Sequence, residues 1–288
     1  MQGNLTRLYL LDLASTPVTR SFEPSHLPSH SVTGLTDIGR SRKRNEDSLS
    51  LLPSVGVAVV ADGMGGHPGG DVASRIAAET ATRLLEAAHE ENPPTTAVEE
   101  HLRAAMAECV IAAHDEIRAH AAREPELEGM GTTLTAMIVH AETGMYVLGH
   151  VGDSRAYLYR NGVLKQLTRD HTWVQDRVEK GDIRPEAARK HPFGHMLTQC
   201  LGLEDRPVPQ ILDDHVKGGD AYLLCSDGLV GMLEDSELEA ILADQLASNG
   251  PGGPVDPLAT VQALLDAANA AGGHDNITAA LVRIDSDS

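Results

Sequence analysis

Residues Val55 to Gly70 read VGVAVVADGMGGHPGG. An apolar run stops on one acidic residue, Asp62, and five glycines follow within the next eight positions. A short apolar run bounded by glycine predicts a strand buried on both faces, here Val55 to Ala61. Such a strand ends on a carboxylate either because the chain turns there or because the carboxylate binds something. Asp71 then opens an amphipathic helix to about His89, with Val72, Ile76, Leu84 and Leu85 on one side.

Outward from this stretch the same pattern recurs. Asp227 follows the apolar YLLCS, Asp153 follows VLGHVG, and Asp275 lies in GGHDNIT just before a strand. Glu46 and Asp47 lie in RSRKRNEDSLSLL, also just before a strand. One Asp-Gly pair alone is more often a turn than a ligand. Five acidic sites at strand ends change that balance, because strand ends of one sheet converge. Clustered carboxylates repel one another unless a cation sits between them. An oxygen-only ligand set points to Mg²⁺ or Mn²⁺. The basic run GRSRKRNED supplies Arg42, which is either a solvated surface charge or a fork for phosphate oxygens beside the metals.

The remaining elements surround these strands. A second helix is expected from Thr96, where Thr96 and Glu99 form a capping-box pattern. Its apolar stripe is Leu102, Met106, Cys109, Val110, Ala113 and Ile117. The segments TTLTAMIVH, MYVLGHVGD and RAYLYR read as strands, and Asn161-Gly162 as a hairpin turn into VLKQLT. Residues 170–202 form a polar insert over the core, and AYLLCSDG is another buried strand. Helices follow from Ser236 and from the Asp256-Pro257 cap to Gly272-Gly273, with SNGPGGPVDP as the loop between them and NITAALVRI as the closing strand. Residues 1–31 read as an N-terminal tail and 32–288 as one domain. Paired helices between groups of hairpin strands favour an α+β antiparallel sandwich over a doubly wound parallel sheet.

Composition narrows the function. The chain has 288 residues, 41% of them hydrophobic but only 3% aromatic, so the core is built of Ala, Val, Leu and Ile. The net charge is -19, from 42 acidic against 23 basic residues, which argues against a nucleic-acid or anionic-membrane surface. No apolar stretch approaches the ~20 residues of a membrane helix. Asp12 interrupts the short apolar run at the N-terminus, which makes a signal peptide unconvincing. Cys109, Cys200 and Cys225 are scattered, as expected of buried thiols in a reducing cytoplasm.

The motifs TDIGRSRKRNEDS, VVADGMGGHPGGDVAS, GMGTTLTAMIV, HVGDSRAYLYRNG, LTRDHTW, LTQCLG, LLCSDGL and GGHDNITAALV cover roughly residues 32 to 284. In this order the chain resembles the metal-dependent (PPM, type-2C) serine/threonine protein phosphatases in their short bacterial form. The resemblance implies a four-layer α/β/β/α sandwich with a metal site at one end. It implies that Asp62 bridges two Mn²⁺ or Mg²⁺ ions, with the Gly63 carbonyl on one, while Asp227 and Asp275 complete the other. Glu46 and Asp47 would act through bound water, Asp153 and Asp227 would form a weaker third site, and Arg42 would grip the substrate phosphate. Residues 170–202 would be the mobile flap. The implied partners are phosphorylated proteins and a cognate serine/threonine kinase, and the chain is expected to be a cytoplasmic monomer without nucleic-acid or membrane partners. The chain departs from eukaryotic members at Met64, where they carry a histidine. The proton donor would then be water on the Asp153 ion, with His67 as the alternative.

Three rivals share parts of the sequence. Cys200 and Arg206 have the C-x5-R spacing of cysteine phosphatases, but Glu204 and Asp205 between them would repel phosphate. The glycines after Asp62 begin a dinucleotide-binding pattern that fails at Pro68. A phosphoprotein-binding pseudoenzyme is disfavoured by the intact Asp62, Asp153, Asp227 and Asp275. The histidines do not read as a metal cluster, most of them read as surface residues, and Trp173 reads as flap packing.

Overall fold

The computed structural model describes residues 29–64, 69–189, 191–247 and 256–286. Ten strands form two five-stranded sheets in which all pairings are antiparallel. The first sheet holds β1 (His30–Asp37), β10 (Ile277–Ile284), β9 (Ala221–Cys225), β6 (Arg155–Arg160) and β7 (Val163–Gln166), in that order. The second holds β2 (Asp47–Leu52), β3 (Val57–Asp62), β4 (Leu134–His140), β5 (Met145–Val151) and β8 (Gln210–His215).

Alternation along the strands builds three cores and hence four layers. In β3, Val57, Val59 and Ala61 face outward onto α1 (Gly70–Glu90) and α2 (Val98–Ala121), while Ala58 and Val60 face the other sheet. In β10, Ala280, Val282 and Ile284 pack between the sheets, and Ile277, Ala279 and Leu281 face α7 (Pro257–Ala270) and α6 (Asp235–Ala247). Both faces are buried, so these strands appear in the sequence as continuous apolar runs. Each buried Val or Leu contributes about 1.5–3 kcal/mol. Alanines at Ala73, Ala77 and Ala81 form the contact stripe of α1.

Local chemistry sets the joints. Asn161 and Gly162 both have positive φ, 54° and 81°, as a two-residue hairpin turn requires. Asp256 caps α7 by accepting from the backbone N–H of Leu258 and Ala259. The capping box at Thr96 does not form. Ala97 N donates to Pro94 O at 2.7 Å, so Thr95–Ala97 is a 3-10 turn and α2 starts at Val98 without a side-chain cap. The first strand begins at His30, two residues inside the span read as tail, whereas residues 1–28 lie outside the described residues. The edge strand β8 had no sequence signal strong enough to name it. No described helix is long and apolar enough to cross a membrane.

The end of β9 farthest from the acidic residues carries a satisfied charge. Arg160 donates to both oxygens of Asp220, at 2.7 and 2.6 Å, and Lys217 N and Tyr222 Oη donate to the same carboxylate at 2.7 and 3.2 Å. Asp220 is 1% exposed. Asp220→Ala strands the Arg160 guanidinium and the Tyr222 hydroxyl, at a cost on the order of 3 kcal/mol. Thermal melts should show that loss, and adding Arg160→Met should recover part of it. An unchanged melting temperature in the single variant would contradict the assignment.

Candidate active site

Strand direction brings the acidic residues to one end of the sandwich. Asp62 closes β3, Asp153 lies two residues past β5, and Glu46 immediately precedes β2, all in the second sheet. From the first sheet, Asp227 lies two residues past β9 and begins α5 (Asp227–Val230), and Asp275 lies two residues before β10. These five carboxylates, with Arg42, Gly63 and Met64, line one cleft of about 620 Å³. Arg42 reaches it because the connection from β1 to β2 crosses between the sheets at this end.

Asp47 stands behind the cleft wall. It pairs with Asp62 across β2 and β3, and its Oδ2 accepts from Ser226 Oγ at 2.7 Å and Thr278 Oγ1 at 2.6 Å. The Thr278 proton is committed to Asp47, so Thr36 is the donor in the 2.7 Å contact between the two threonines, and Asn45 Nδ2 donates to Thr36 in turn. Asp47 Oδ1 is buried without a hydrogen-bond partner. Burial, opposed by the two hydroxyls, pushes the Asp47 carboxyl up to about 7.

The rest of the cleft is under the same electrostatic load. Burial first and the Asp47 charge second hold the Asp62 carboxyl well above the ordinary carboxylate range. Burial and then Asp227 do the same to Asp153, and burial raises Glu46. Among the described lining residues, only Arg42 and His195 bring positive charge. Arg42 Nη2 donates to Asp275 Oδ2 at 2.6 Å.

The donor set fits divalent cations. It is rich in carboxylate oxygen and has too little positive charge of its own, and directly behind it Asp47 keeps a buried carboxylate oxygen with no hydrogen-bond partner. Backbone is packed closely at Gly63, where a Cβ would come within 2.2 Å of Gly70 O and 2.6 Å of Glu46 O. Only glycine lets β3 turn into α1 there.

Two residues without an assigned role in the sequence reading belong to this site. Asn276 accepts from Glu46 N at 2.9 Å and donates to Ile38 O and Arg44 O at 3.0 and 2.9 Å, fixing the loop that carries Arg42. A buried amide beside Asp275 at the mouth of a buried strand was the available signal. His195, singled out by nothing in the sequence, places Nδ1 3.3 Å from Asp227 Oδ2. Asp153, His195 and Asp227 each offer a ligand atom, and these lie within 4.8 Å of one another. His67 lies outside the described residues.

The insert forms the neighbouring wall. It contains α3 (Trp173–Glu179) and α4 (Pro185–Ala188). Its base is held by Arg155, which grips both oxygens of Asp170, and by Arg169 on Asp176 and Glu179. Trp173 packs on His191 and Phe193 under Arg177. Cys200 is buried, which pushes its thiol up to about 11, and Arg206 is paired with Asp115. That pair builds no phosphate cradle, and the antiparallel sheets exclude a doubly wound dinucleotide fold.

The raised Asp62 carboxyl gives a pH signature. Its folded-state value lies above its unfolded value, so the metal-free fold incurs no penalty below about pH 4 and a growing one as pH rises. In chelator-treated protein, Asp62→Asn should melt above wild type at pH 8, with the gap closing toward pH 4. Circular-dichroism melts across that range measure it, and a gap independent of pH would contradict the electrostatic account.

Comparison with known proteins places the chain. The family model "Protein phosphatase 2C" matches residues 39–261. The serine/threonine phosphatase stp of Listeria monocytogenes is 37% identical over 253 residues, which is 87% of this chain and 94% of the relative. The crystal structure of the Mycobacterium tuberculosis serine/threonine phosphatase PstP superposes with a TM-score of 0.75 at 34% identity, covering 89% of this chain and 99% of that one. The catalytic domain of PstP in complex with two manganese ions gives a TM-score of 0.74 at 32% identity over 89% of this chain and 99% of that chain. The acidic cleft, the layered sandwich and these likenesses agree: this chain belongs to the protein phosphatase 2C family.

Proposed function

We propose that this chain is a metal-dependent phosphatase that removes phosphate from phosphoserine and phosphothreonine in proteins, opposing a serine/threonine kinase in a bacterial cytoplasm. The observation that carries the reading is the convergence of five carboxylates and Arg42 on one cleft. Asp62, with the Gly63 carbonyl, would hold two ions, and Asp227 and Asp275 would complete one of the two positions. Glu46 and the free Oδ1 of Asp47 would accept from water of the ions' shell. Asp153 and Asp227, joined by His195, would hold a weaker third. Oxygen donors favour Mn²⁺ or Mg²⁺ in the first two positions. Bound ions would neutralise phosphoryl charge and acidify the attacking water.

The chain's own groups supply the rest. Phosphate monoesters hydrolyse extremely slowly unaided, so charge must be in place before the reaction begins. Arg42 uses Nη2 on Asp275, and its remaining donors are left for phosphate oxygens. Asn276 holds the Arg42 loop, which limits the reorganisation needed when substrate binds. Burial pushes the Cys200 thiol up to about 11, which disfavours a phosphocysteine and supports attack by water.

Two variants test the reading. Asp227→Asn should nearly abolish phosphate release from a phosphoserine peptide and weaken Mn²⁺ binding by calorimetry, with the fold retained. Full activity at saturating Mn²⁺ would refute it. Arg42→Ala removes a charge-assisted contact worth about 1.5–3 kcal/mol, so kcat/KM should fall roughly 10- to 150-fold. Mn²⁺ affinity should not fall in that variant. An unaltered kcat/KM would make Arg42 a solvated surface charge.

A further inference from the structure

Beside the catalytic cleft lies a second groove of about 360 Å³. The two are continuous, since Leu197, Cys200 and Leu203 line both. The outer wall of the groove is the turn from Leu203 to Pro207, and this turn is anchored to α2. Gly202 N donates to His114 Nδ1 at 3.2 Å, and Arg118 Nη1 donates to Leu203 O and Glu204 O at 2.9 and 2.6 Å. Arg206 is committed to Asp115 at 2.8 Å. Val208 N donates to Gln199 Oε1 at 2.8 Å, which ties the wall to the returning flap. The groove is therefore formed before any ligand arrives.

Its chemistry is lopsided. The charged lining is Glu204, Asp205 and Arg206. Arg206 is paired with Asp115 and Arg118 donates to backbone carbonyls, so neither arginine forms an ion pair with Glu204 or Asp205. Both of these carboxylates are exposed and line the groove. Apolar surface is concentrated nearby as well. Of the seven large hydrophobic residues exposed among the described residues, four lie between 193 and 208: Phe193, Met196, Leu203 and Val208. Of these Leu203 lines the groove, beside two exposed acids without an ion-pair partner, and a groove of that lining that opens directly into the acidic cleft marks a surface for a polypeptide with apolar and basic side chains.

We infer that this groove seats the substrate chain on one side of the phosphorylated residue. There it selects a lysine or arginine through Glu204 and Asp205, and an apolar neighbour through Leu203. The inference rests on the phosphatase reading above and adds to it a specificity for phosphoserine or phosphothreonine with nearby basic residues.

The test compares phosphoserine peptides that differ only in two lysines or two alanines, placed before or after the phosphoserine, together with p-nitrophenyl phosphate. Wild-type protein with Mn²⁺ should prefer one lysine series by about 5-fold in kcat/KM, as two exposed ion pairs of ordinary strength would give. The preference should shrink as salt rises. The double variant Glu204→Lys/Asp205→Lys should lose or reverse that preference while its kinetics on p-nitrophenyl phosphate stay unchanged. A control, Glu99→Lys/Glu100→Lys, changes the net charge equally. Its sites lie at the start of α2, with Glu100 about 22 Å along the helix axis from Asp115 at 1.5 Å per residue, and it should keep the preference. Retained preference in the groove variant, or equal loss in the control, would overturn the inference while leaving the phosphatase reading intact. Absence of phosphate release from every peptide and from the aryl ester would instead overturn the phosphatase reading, and the inference with it.

Discussion

Mutual repulsion among carboxylates is the constraint to which this end of the molecule answers. Glu46, Asp62, Asp153, Asp227 and Asp275 come from five chain segments in two sheets, yet they share one cleft. Left alone, such a group either protonates or separates. It separates only if the strand ends can move, and these strands are clamped by apolar packing on both faces. The hydrophobic layers therefore hold the charges together, and the energy stored in their proximity is available to whatever cation binds. The other end of β9 shows the ordinary solution to the same problem. There Asp220 is deeper still, but Arg160, Tyr222 and a backbone N–H satisfy it. One strand thus carries a quenched carboxylate at its start and an available one, Asp227, just past its end.

Proximity within one sheet is fixed by pairing register, but proximity between sheets needs its own device. Two polar links supply it. Ser226 and Thr278 of the first sheet donate to Asp47 of the second, and Asn276 binds backbone on both sides of the loop that joins them. The donor chain from Asn45 through Thr36 and Thr278 ends on Asp47 Oδ2, which leaves Oδ1 without a partner. The arrangement explains why hydroxyl residues interrupt apolar strands here. Valine at Thr278 would pack as well but would leave the Asp47 charge unsupported.

Much of this was legible in the sequence because burial on both faces removes the usual alternation. Strands such as VAVVAD and AYLLC announce themselves as runs, and the residue that ends each run is conspicuous. The strand QILDDH was not legible, because an edge strand with a polar end looks like a loop. The start of α2 was misplaced because Pro94 fixes a preceding turn that the capping-box pattern does not register. His195 could not be assigned from the chain alone. It lies 32 residues from Asp227 in sequence, and only the return of the insert along the cleft brings the two together. The C-x5-R spacing of Cys200 and Arg206 was decided by burial and by Asp115, neither of which has a local sequence signature.

The insert differs from the sandwich in the way it is held, and that difference divides the labour. Its base is fixed by charged contacts, Arg155 on Asp170 and Arg169 on Glu179, whereas its return from 193 to 198 presents Phe193 and Met196 to solvent. The cleft carboxylates sit on elements that cannot shift without breaking a core. The exposed apolar residues of the insert sit on a segment braced internally by the Thr172–Leu197 bridge and joined to that core at points such as the Thr132–Leu201 bridge. Substitutions in the second group leave the strand ends that hold the charge undisturbed. On the proposed reading, a rigid acidic cage bordered by a separately anchored wall would let substrate preference change while the chemistry stays fixed.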